Sequence, residues 1–309
     1  MDTQALHDRR LKAALSICAA MIIAVSCDTI VKHLSATYPI HLVNTVRFVF
    51  TVPVGLFLVY RQQALPRLLS HQYGILLLRG VLIALGNLFF MLAAATIPLA
   101  DGVALFFTMP FFVAGLVPFM IGERVPLIRW VTIIIGFAGV LVMTRPGTAM
   151  FQKEAILAIL CAFFYGMGQV FTRRIDPTLP TAVTALWQGG VYSIFYLLLA
   201  LIFGFGLVAP SGNASLDFLT RAWLLPNLPD FGLMLLAALL SCFQIPLQVA
   251  GYRYAESSFV APFEYTAMIW AVLYGIFVFG DIPDNATIIG ASIVAAAGLV
   301  MLRFDRRQI

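Results

Sequence analysis

The chain has 309 residues, of which 61% are hydrophobic and only 11% are charged, and its mean hydropathy is +0.97. Soluble domains carry roughly 25% charged residues, so this chain has too few charges to coat a water-exposed surface. The formal net charge of +5 does not indicate nucleic-acid binding, because Lys and Arg stand at the ends of apolar segments. Composition therefore predicts a membrane protein with little chain left for a soluble catalytic domain.

Apolar runs follow one another along the chain, separated by charged residues, Pro or Gly. About 20 mostly apolar residues span the hydrocarbon core of a bilayer as an α-helix. The runs predict an all-α polytopic membrane protein, with transmembrane helices at 12–34, 40–60, 72–95, 100–120, 127–144, 154–174, 182–206, 231–253, 257–279 and 286–303. The longest connection, 207–230, is rich in proline and is predicted to be an irregular external loop.

The positive charges indicate how these helices are oriented. Short cytoplasmic loops are enriched in Lys and Arg. If the N-terminus is cytoplasmic, most Lys and Arg residues fall on the cytoplasmic side, and the opposite side receives only Lys32, Arg145, Lys153 and Arg221. Two more, Arg47 and Arg79, lie inside predicted helices. The distribution predicts a multi-pass protein of a bacterial inner membrane with both termini in the cytoplasm.

The fourth and ninth predicted helices carry an internal repeat. Thr108, Phe119 and Gly122 match Thr266, Phe277 and Gly280 at one constant separation, and the match continues into helices five and ten. An odd number of crossings in each half means that the second half begins on the opposite side of the membrane. The sequence thus predicts two inverted five-helix repeats, 1–148 and 149–309. Inverted repeats place a binding site near the bilayer midplane and permit alternating access.

No residue pattern indicates a cofactor or a metal. All four cysteines lie inside apolar segments, where a disulfide framework or a closely spaced zinc site is not expected: Cys18, Cys27, Cys161 and Cys242. A phosphate-binding loop of the Gly-x4-Gly-Lys-Ser/Thr type is also missing from the sequence, which argues against a built-in ATP motor. The expected partners are the lipid bilayer and a small-molecule substrate, without nucleic acid, for a monomer or a homodimer.

Several short motifs resemble the drug/metabolite transporter superfamily, specifically its EamA-type members. They occur in the order Asp28-Thr29-Ile30-Val31-Lys32, Arg47-Phe48, Pro98-Leu99-Ala100-Asp101, Met109-Pro110, Gly122-Glu123-Arg124 and Gly136-Phe137-Ala138-Gly139-Val140. The resemblance covers nearly the whole chain, although Asp281 stands where the second copy of the turn motif would have Glu. It implies a ten-helix fold, transport of amino acids, amines, vitamins or nucleotide-like metabolites, and a central cavity formed mainly by helices one, three, four, six, eight and nine.

Glu264 is the most informative charged residue within a predicted helix. A charged side chain inside hydrocarbon costs at least about 2.5 kcal/mol on insertion scales, so it requires a partner, a water-filled cavity or a function. Glu264 could bind a cationic substrate group or exchange a proton, which makes protons a candidate coupling ion. The neighbouring Tyr265 is a candidate for contact with the substrate. The alternative is a carboxylate bonded permanently to an adjacent helix.

Three further charges could form a gate or a charge network. Asp28 and Lys32 are four residues apart on helix one, so they share a face and can pair. Arg47 on helix two lies near the same outer side, and its guanidinium can bind a carboxylate through two parallel hydrogen bonds. The group could therefore hold a substrate carboxylate or close the outer side. A static ion-pair network that holds the helices in register is the alternative.

Polar side chains at helical spacing supply the remaining candidates for substrate binding. Tyr165 and Gln169 share a face of helix six, and Gln244 shares a face of helix eight with Gln248. Asn87 on helix three and Trp187 on helix seven complete the candidate set. Hydrogen bonding between helices is the alternative role for all of these residues.

The function that the sequence predicts is secondary transport of a small organic metabolite by alternating access. The cargo classes are an amino acid, an amine, or an aromatic or heterocyclic vitamin such as riboflavin. An integral-membrane enzyme is one rival, but the sequence lacks a His-Glu-x-x-His metal helix and a Gly-x-Ser-x-Gly elbow. A signalling receptor or channel without carrier activity is the other rival, and seven helices with termini on opposite sides would favour the receptor.

Overall fold

The structure is a computed structural model that describes residues 3–68, 72–121, 127–145, 153–172, 174–176, 178–209, 211–254, 263–264 and 266–305. Within these ranges the chain forms helices and turns, and no strand. The helices are α1 (Thr3–Ser35), α2 (Ile40–Val49), α3 (Thr51–Arg61), α4 (Tyr73–Ala94), α5 (Leu99–Phe106), α6 (Met109–Ile121), α7 (Leu127–Thr144), α8 (Ala155–Thr172), α9 (Thr181–Phe203), α10 (Ala214–Thr220), α11 (Leu228–Tyr254), α12 (Thr266–Tyr274) and α13 (Asn285–Asp305).

Six helical segments of the described chain are long and apolar enough to cross a membrane. They are Arg9–Ser35, Ile40–Arg61, Tyr73–Ala94, Ala155–Thr172, Thr181–Phe203 and Leu228–Tyr254. Shorter apolar helices cover Leu99–Val113, Thr266–Phe279 and Asn285–Ala297. Many large apolar side chains on these helices are exposed, for example Phe57, Leu201 and Ile269. Such side chains suit contact with lipid, and the protein is an α-helical, multi-pass membrane protein.

Two of the predicted helices are each divided in the structure. The run 40–60 forms α2 and α3, which meet at Phe50, and the run 100–120 forms α5 and α6, which meet at Phe107 and Thr108. Proline explains both breaks, because it has no backbone N–H to donate to the carbonyl four residues earlier. Pro53 leaves the Val49 carbonyl without that bond, and Pro110 does the same to Phe106.

The connection 207–230 is not wholly irregular, which corrects the sequence prediction. It contains helix α10, whose N-cap is Asn213. The Asn213 side chain accepts hydrogen bonds from the backbone N–H of Ser215 at 3.0 Å and of Leu216 at 3.1 Å. Phe218 on this helix is fully buried. The Asn213 cap and the buried Phe218 side chain therefore stabilise a short helix. The sequence did not indicate this helix, because the connection is rich in proline.

The helices pack as closely spaced pairs. α1 runs along α11, α4 along α8, α7 along α13, and α2 and α3 along α9. Glycines permit the close approach: a Cβ on Gly86 would lie 3.1 Å from the Tyr165 backbone nitrogen, and one on Gly139 would lie 2.9 Å from the Gly290 carbonyl oxygen. Small residues at such contacts let helix backbones approach in membranes. Helices of three of these pairs, α1–α11, α4–α8 and α2–α9, line the centre of the bundle, where several polar side chains lie.

Candidate functional site

A partly open cavity lies in the centre of the helix bundle. It encloses about 760 Å³ of space free of protein atoms, counting the space at its open side. Its walls consist of Met21, Ala24, Val25, Asp28, Arg47, Phe48, Asn87, Phe90, Val103, Phe106, Cys161, Tyr165, Tyr192, Gln244, Gln248, Glu264 and Ala267. The resemblance implied walls from predicted helices one, three, four, six, eight and nine, and residues of all six line the cavity. Residues of α2 and α9, which belong to predicted helices two and seven, line it as well.

Glu264 lies at the cavity wall with one oxygen unsatisfied. The side chain is only 3% exposed, and its Oε1 atom has no hydrogen-bond partner within the described ranges. The Tyr252 hydroxyl of α11 is within electrostatic range of the same carboxyl group. A buried carboxylate oxygen without a donor is costly. Oε1 is therefore an acceptor available to a donor or cationic group that enters the cavity.

Asp28 and Arg47 form an ion pair at the cavity wall. The Arg47 Nη1 atom lies 3.7 Å from Asp28 Oδ1, and Arg47 Nε donates a 2.7 Å hydrogen bond to the Ser241 hydroxyl. Its guanidinium carbon also lies 4.9 Å from the centre of the Phe48 ring. Arg47 is 3% exposed, so helices α1, α2 and α11 meet around a buried, paired charge.

Lys32 does not pair with Asp28, contrary to the spacing-based prediction. Lys32 Nζ donates a 2.7 Å hydrogen bond to the Ile97 carbonyl, lies 3.7 Å from Asp281 Oδ2 and sits 5.0 Å from the centre of the Phe279 ring. The spacing allowed a pair within α1, but closer partners come from elsewhere in the chain. Lys32 is not part of the cavity wall. The three predicted gate residues thus form two separate ion pairs.

The predicted glutamine and tyrosine candidates are connected across two helices. Gln244 Nε2 donates a 3.0 Å hydrogen bond to Gln248 Oε1, and the Gln248 amide donates to the Tyr165 hydroxyl. All three line the cavity. Gln169 does not line it, and instead accepts a 3.3 Å hydrogen bond from the Thr172 hydroxyl. The Gln248–Tyr165 hydrogen bond therefore links α11 to α8 at the cavity wall, and Gln169 lies outside that wall.

The remaining candidates have different surroundings. Asn87 lines the cavity, and its Oδ1 accepts a 2.6 Å hydrogen bond from the Tyr196 hydroxyl. Trp187 lies away from the cavity, because its indole Nε1 donates a 3.0 Å hydrogen bond to the Leu68 carbonyl in a separate apolar cluster. Its predicted contact with substrate is not supported by this position. Tyr265 lies outside the described residues.

Sequence reasoning missed most of the aromatic wall. The Phe48 and Tyr192 rings stack with centroids 4.2 Å apart, and Phe106 meets Tyr165 edge to face at 5.1 Å. Phe90 contributes a further edge-to-face contact with Phe106. With 26 Phe and 10 Tyr in the chain, aromatic identity alone could not select these residues. The wall offers flat apolar faces beside the polar groups of Glu264 and the glutamines.

A sequence model described as the EamA-like transporter family matches residues 11–145 and again residues 152–303. The chain belongs to the EamA-like transporter family. This confirms the resemblance inferred from the motifs, and the EamA-type chain is a small-metabolite transporter, with multiple membrane passes, of a bacterial inner membrane.

Curated relatives of this EamA-type chain are named for different cargoes. The S-adenosylmethionine uptake transporter of Rickettsia prowazekii is 22% identical over 75% of this chain and 72% of the relative. The riboflavin transporter of Rhizobium johnstonii is 27% identical over 75% and 71% of the two chains. The pseudopaline exporter of Pseudomonas aeruginosa is 26% identical over 89% and 90%. These names indicate transporters and not enzymes.

One solved crystal structure shares the fold. It is 16% identical and superposes with a TM-score of 0.64, covering 96% of this chain and 98% of the other. At that identity the likeness concerns the arrangement of helices alone.

Proposed function

We propose that the protein is a secondary carrier that moves an amino acid, an amine, or an aromatic or heterocyclic vitamin such as riboflavin by alternating access. The observation that carries the proposal is the unpartnered Oε1 of Glu264, within the described chain, in a cavity walled by aromatic rings. A substrate with a hydrogen-bond donor or a cationic group satisfies this oxygen, while its apolar part lies against the rings around Phe48 and Phe106.

The carrier consists of two inverted five-helix repeats, 1–148 and 149–309, with ten crossings and both termini in the cytoplasm. The two separate matches to the family, one in each half, support this division. Helix packing supports it too. In an inverted repeat, predicted helices one and six are equivalent, as are three and eight. In the structure these four helices are α1, α8, α4 and α11. A contact between helices one and eight therefore corresponds to a contact between helices six and three, and both are present, as α1–α11 and α4–α8.

Lys32 closes the outer side of the cavity in this mechanism. It joins helix one to the Ile97 carbonyl, between α4 and α5, and to Asp281, which follows the π-helical turn Gly275–Phe279. Breaking these contacts separates helix one from the segment after α12. The bundle then exposes the cavity to the outside, and re-forming them closes it again.

Glu264 also couples transport to protons in this scheme. The carboxylate either holds a proton or faces a donor on the substrate, because a bare charge is costly in the low dielectric of the bundle. Exchange of the two occupants during each cycle links substrate movement to the pH gradient. Gln244 and Gln248 orient polar substrate groups, since each presents both a donor and an acceptor.

Flux into proteoliposomes tests the proposal. Purified protein is reconstituted and offered radiolabelled S-adenosylmethionine, riboflavin, aromatic amino acids and their amines, with and without a pH gradient. At least one compound accumulates, and the gradient changes its rate. Trp187→Phe serves as the matched control, because Trp187 lies outside the cavity.

Three results contradict the proposal. Absence of flux for the whole panel removes the proposed cargo classes, and hydrolysis or group transfer by the purified protein favours the enzyme rival. A Glu264→Gln variant with unchanged flux and unchanged pH dependence removes the role of Glu264.

A further inference from the structure

Arg79 is a buried cation without a carboxylate partner. It lies on α4, is 3% exposed, and forms no ion pair with any residue that the structure describes. Its Nε donates a 2.7 Å hydrogen bond to the Thr172 hydroxyl, and its Nη1 donates a 2.9 Å hydrogen bond to Gln188 Oε1. Both acceptors are neutral. A guanidinium in the bundle therefore keeps its full charge uncompensated, at a cost that favours an anionic partner.

Arg79 does not line the cavity, but two residues that do line it lie within its electrostatic range. The hydroxyls of Tyr165 and Tyr192, which line the cavity, are within electrostatic range of the guanidinium. Two of its hydrogen-bond partners lead toward these tyrosines. Gln188, which accepts from Arg79, lies four residues before Tyr192 on α9 and is within electrostatic range of its hydroxyl. Thr172, which also accepts from Arg79, contacts Gln169 at 3.3 Å, and Gln169 is within electrostatic range of Tyr165. Gln169, like Arg79, does not line the cavity.

Glu264 shares the cavity wall with Tyr165. The Tyr165 hydroxyl is within electrostatic range of both Glu264 and Arg79. Two buried charges of opposite sign, neither with a counter-ion among the described residues, therefore act on the same hydroxyl. Arg47, by contrast, already has Asp28 as its counter-ion.

We propose that Arg79 forms an oxyanion subsite, reached from the cavity past Tyr165 and Tyr192, and that it binds a carboxylate or phosphate group of the transported molecule. With Glu264 beside Tyr165 at the cavity wall, the substrate class is a zwitterion whose cationic or donor end faces Glu264 and whose anionic end faces Arg79. Naming this class rests on the proposed transport function, whereas the oxyanion subsite itself does not.

Arginine modification tests the subsite without any transport measurement. Phenylglyoxal reacts with guanidinium groups, and peptide mass spectrometry of the purified protein gives the rate at Arg79. Acetate or inorganic phosphate replaces chloride at constant ionic strength, and the exposed Arg67 is the internal reference. The rate at Arg79 falls several-fold in acetate, in phosphate or in both, and this distinguishes a carboxylate from a phosphate site. The rate at Arg67 stays unchanged.

Two outcomes of that measurement overturn the subsite. In the first, neither anion lowers the modification rate at Arg79 more than it lowers the rate at Arg67. In the second, phenylglyoxal does not reach Arg79 under any condition, which contradicts a subsite that solutes enter.

Matched ligand pairs test the substrate class. Proteoliposomes carrying the wild type, Arg79→Gln, Arg79→Lys or the control Arg67→Gln are offered tryptophan and tryptamine, and S-adenosylmethionine and its decarboxylated form. Arg79→Gln lowers the transport rate of the carboxylated member of the transported pair by about tenfold to a hundredfold. The transport rate of the member without the carboxylate stays nearly unchanged. Arg79→Lys keeps the charge and restores part of the preference.

If Arg79 only holds helices together, Arg79→Gln lowers the transport rates of both members of a pair equally. That result overturns the zwitterion assignment. Wild-type preference for the decarboxylated members overturns it as well. If the wild type transports none of these compounds, nor riboflavin, the proposed function fails, and the modification experiment alone decides the subsite.

Discussion

Two buried arginines, Arg47 and Arg79, lie within electrostatic range of Tyr192, and they have different partners. Arg47 has a carboxylate partner in Asp28 and a hydroxyl partner in Ser241, whereas Arg79 has only the neutral acceptors Thr172 and Gln188. Both side chains are 3% exposed, so burial alone does not distinguish them.

The partners of a buried charge reveal more about its role than its depth does. A guanidinium with a carboxylate counter-ion, such as Arg47, can hold helices together without any ligand. A guanidinium with only neutral acceptors, such as Arg79, remains available to an anion. Glu264 is likewise a buried charge without a counter-ion in the part of the chain that is described, and it remains available to a cation or a donor. This division predicts which substitutions affect transport and which affect stability.

The largest expected effect is loss of transport in Glu264→Gln. The amide keeps the shape but loses the charge and the ability to exchange a proton, so flux falls by about tenfold or more and its dependence on the pH gradient disappears. Initial rates in proteoliposomes at several imposed gradients measure both. Glu154→Gln, whose carboxylate bonds to Asn213 outside the cavity, is the matched control. Equal pH dependence in Glu264→Gln and the wild type contradicts this assignment.

The second effect concerns stability at the Asp28–Arg47 pair. Removing one partner of a buried pair leaves the other charge uncompensated and costs about 3 kcal/mol or more. Asp28→Asn and Arg47→Gln each lower the Tm in detergent, and the double variant loses less than the sum of the two. A thermal-unfolding cycle of the four proteins measures the coupling. Strict additivity shows that the pair is not coupled, and the contrast with Arg79 then loses its basis.

The sequence predicted this region unevenly, for physical reasons. Polar side chains such as Tyr165, Gln244 and Glu264 are conspicuous in apolar runs, and the structure brings all three to one cavity. The proposed Asp28–Lys32 pair was wrong because spacing within one helix carries no information on partners from other helices. Arg47 and Asp281 supply those partners from distant parts of the chain.

Aromatic residues and helix breaks show the same limit. Phe48 and Tyr192 could not be selected from a chain rich in aromatic residues, since only the packing of α2 on α9 makes them stack. The helix positions were largely predictable because apolar runs must be long enough to cross the bilayer. The breaks near Phe50 and Phe107 follow from Pro53 and Pro110, and they require attention to the backbone donor that each proline lacks.

The third effect concerns the outer contact of Lys32, which is charged and paired but lies outside the cavity. Lys32→Met keeps the length of the side chain and removes the contacts with Ile97 and Asp281. The outward-open population rises by about tenfold if these contacts are worth roughly 1.4 kcal/mol. Cys161, which lines the cavity, reports the change through labelling by an impermeant thiol reagent after the other cysteines are replaced by serine.

Lys12→Met, at an exposed position of α1, is the matched control for charge removal. Faster labelling of Cys161 in Lys32→Met, and not in Lys12→Met, supports the outer closure. Equal labelling in both variants assigns Lys32 to a static network instead.

The smallest expected effect lies at the exposed start of α13, where an ionised carboxylate acts as a helix cap. The Asp284 Oδ1 atom accepts a 2.8 Å hydrogen bond from the Thr287 backbone N–H, and Oδ2 pairs with Arg145. The Thr287 bond, and then Arg145, lower the pKa of Asp284 from its ordinary value. A depressed folded-state pKa adds stability that is present above the unfolded pKa and is lost as pH falls through the folded value.

Asp284→Asn keeps a side chain able to cap the helix and removes the charge, while Asp284→Ala removes both. Asp284→Ala therefore lowers the Tm more than Asp284→Asn, by an amount that corresponds to about 1 kcal/mol or less. The Tm difference between wild type and Asp284→Asn is full near neutral pH and shrinks as pH falls below about 4. A difference that is constant with pH shows that the charge of Asp284 contributes nothing, in contrast to the buried charges around Tyr192.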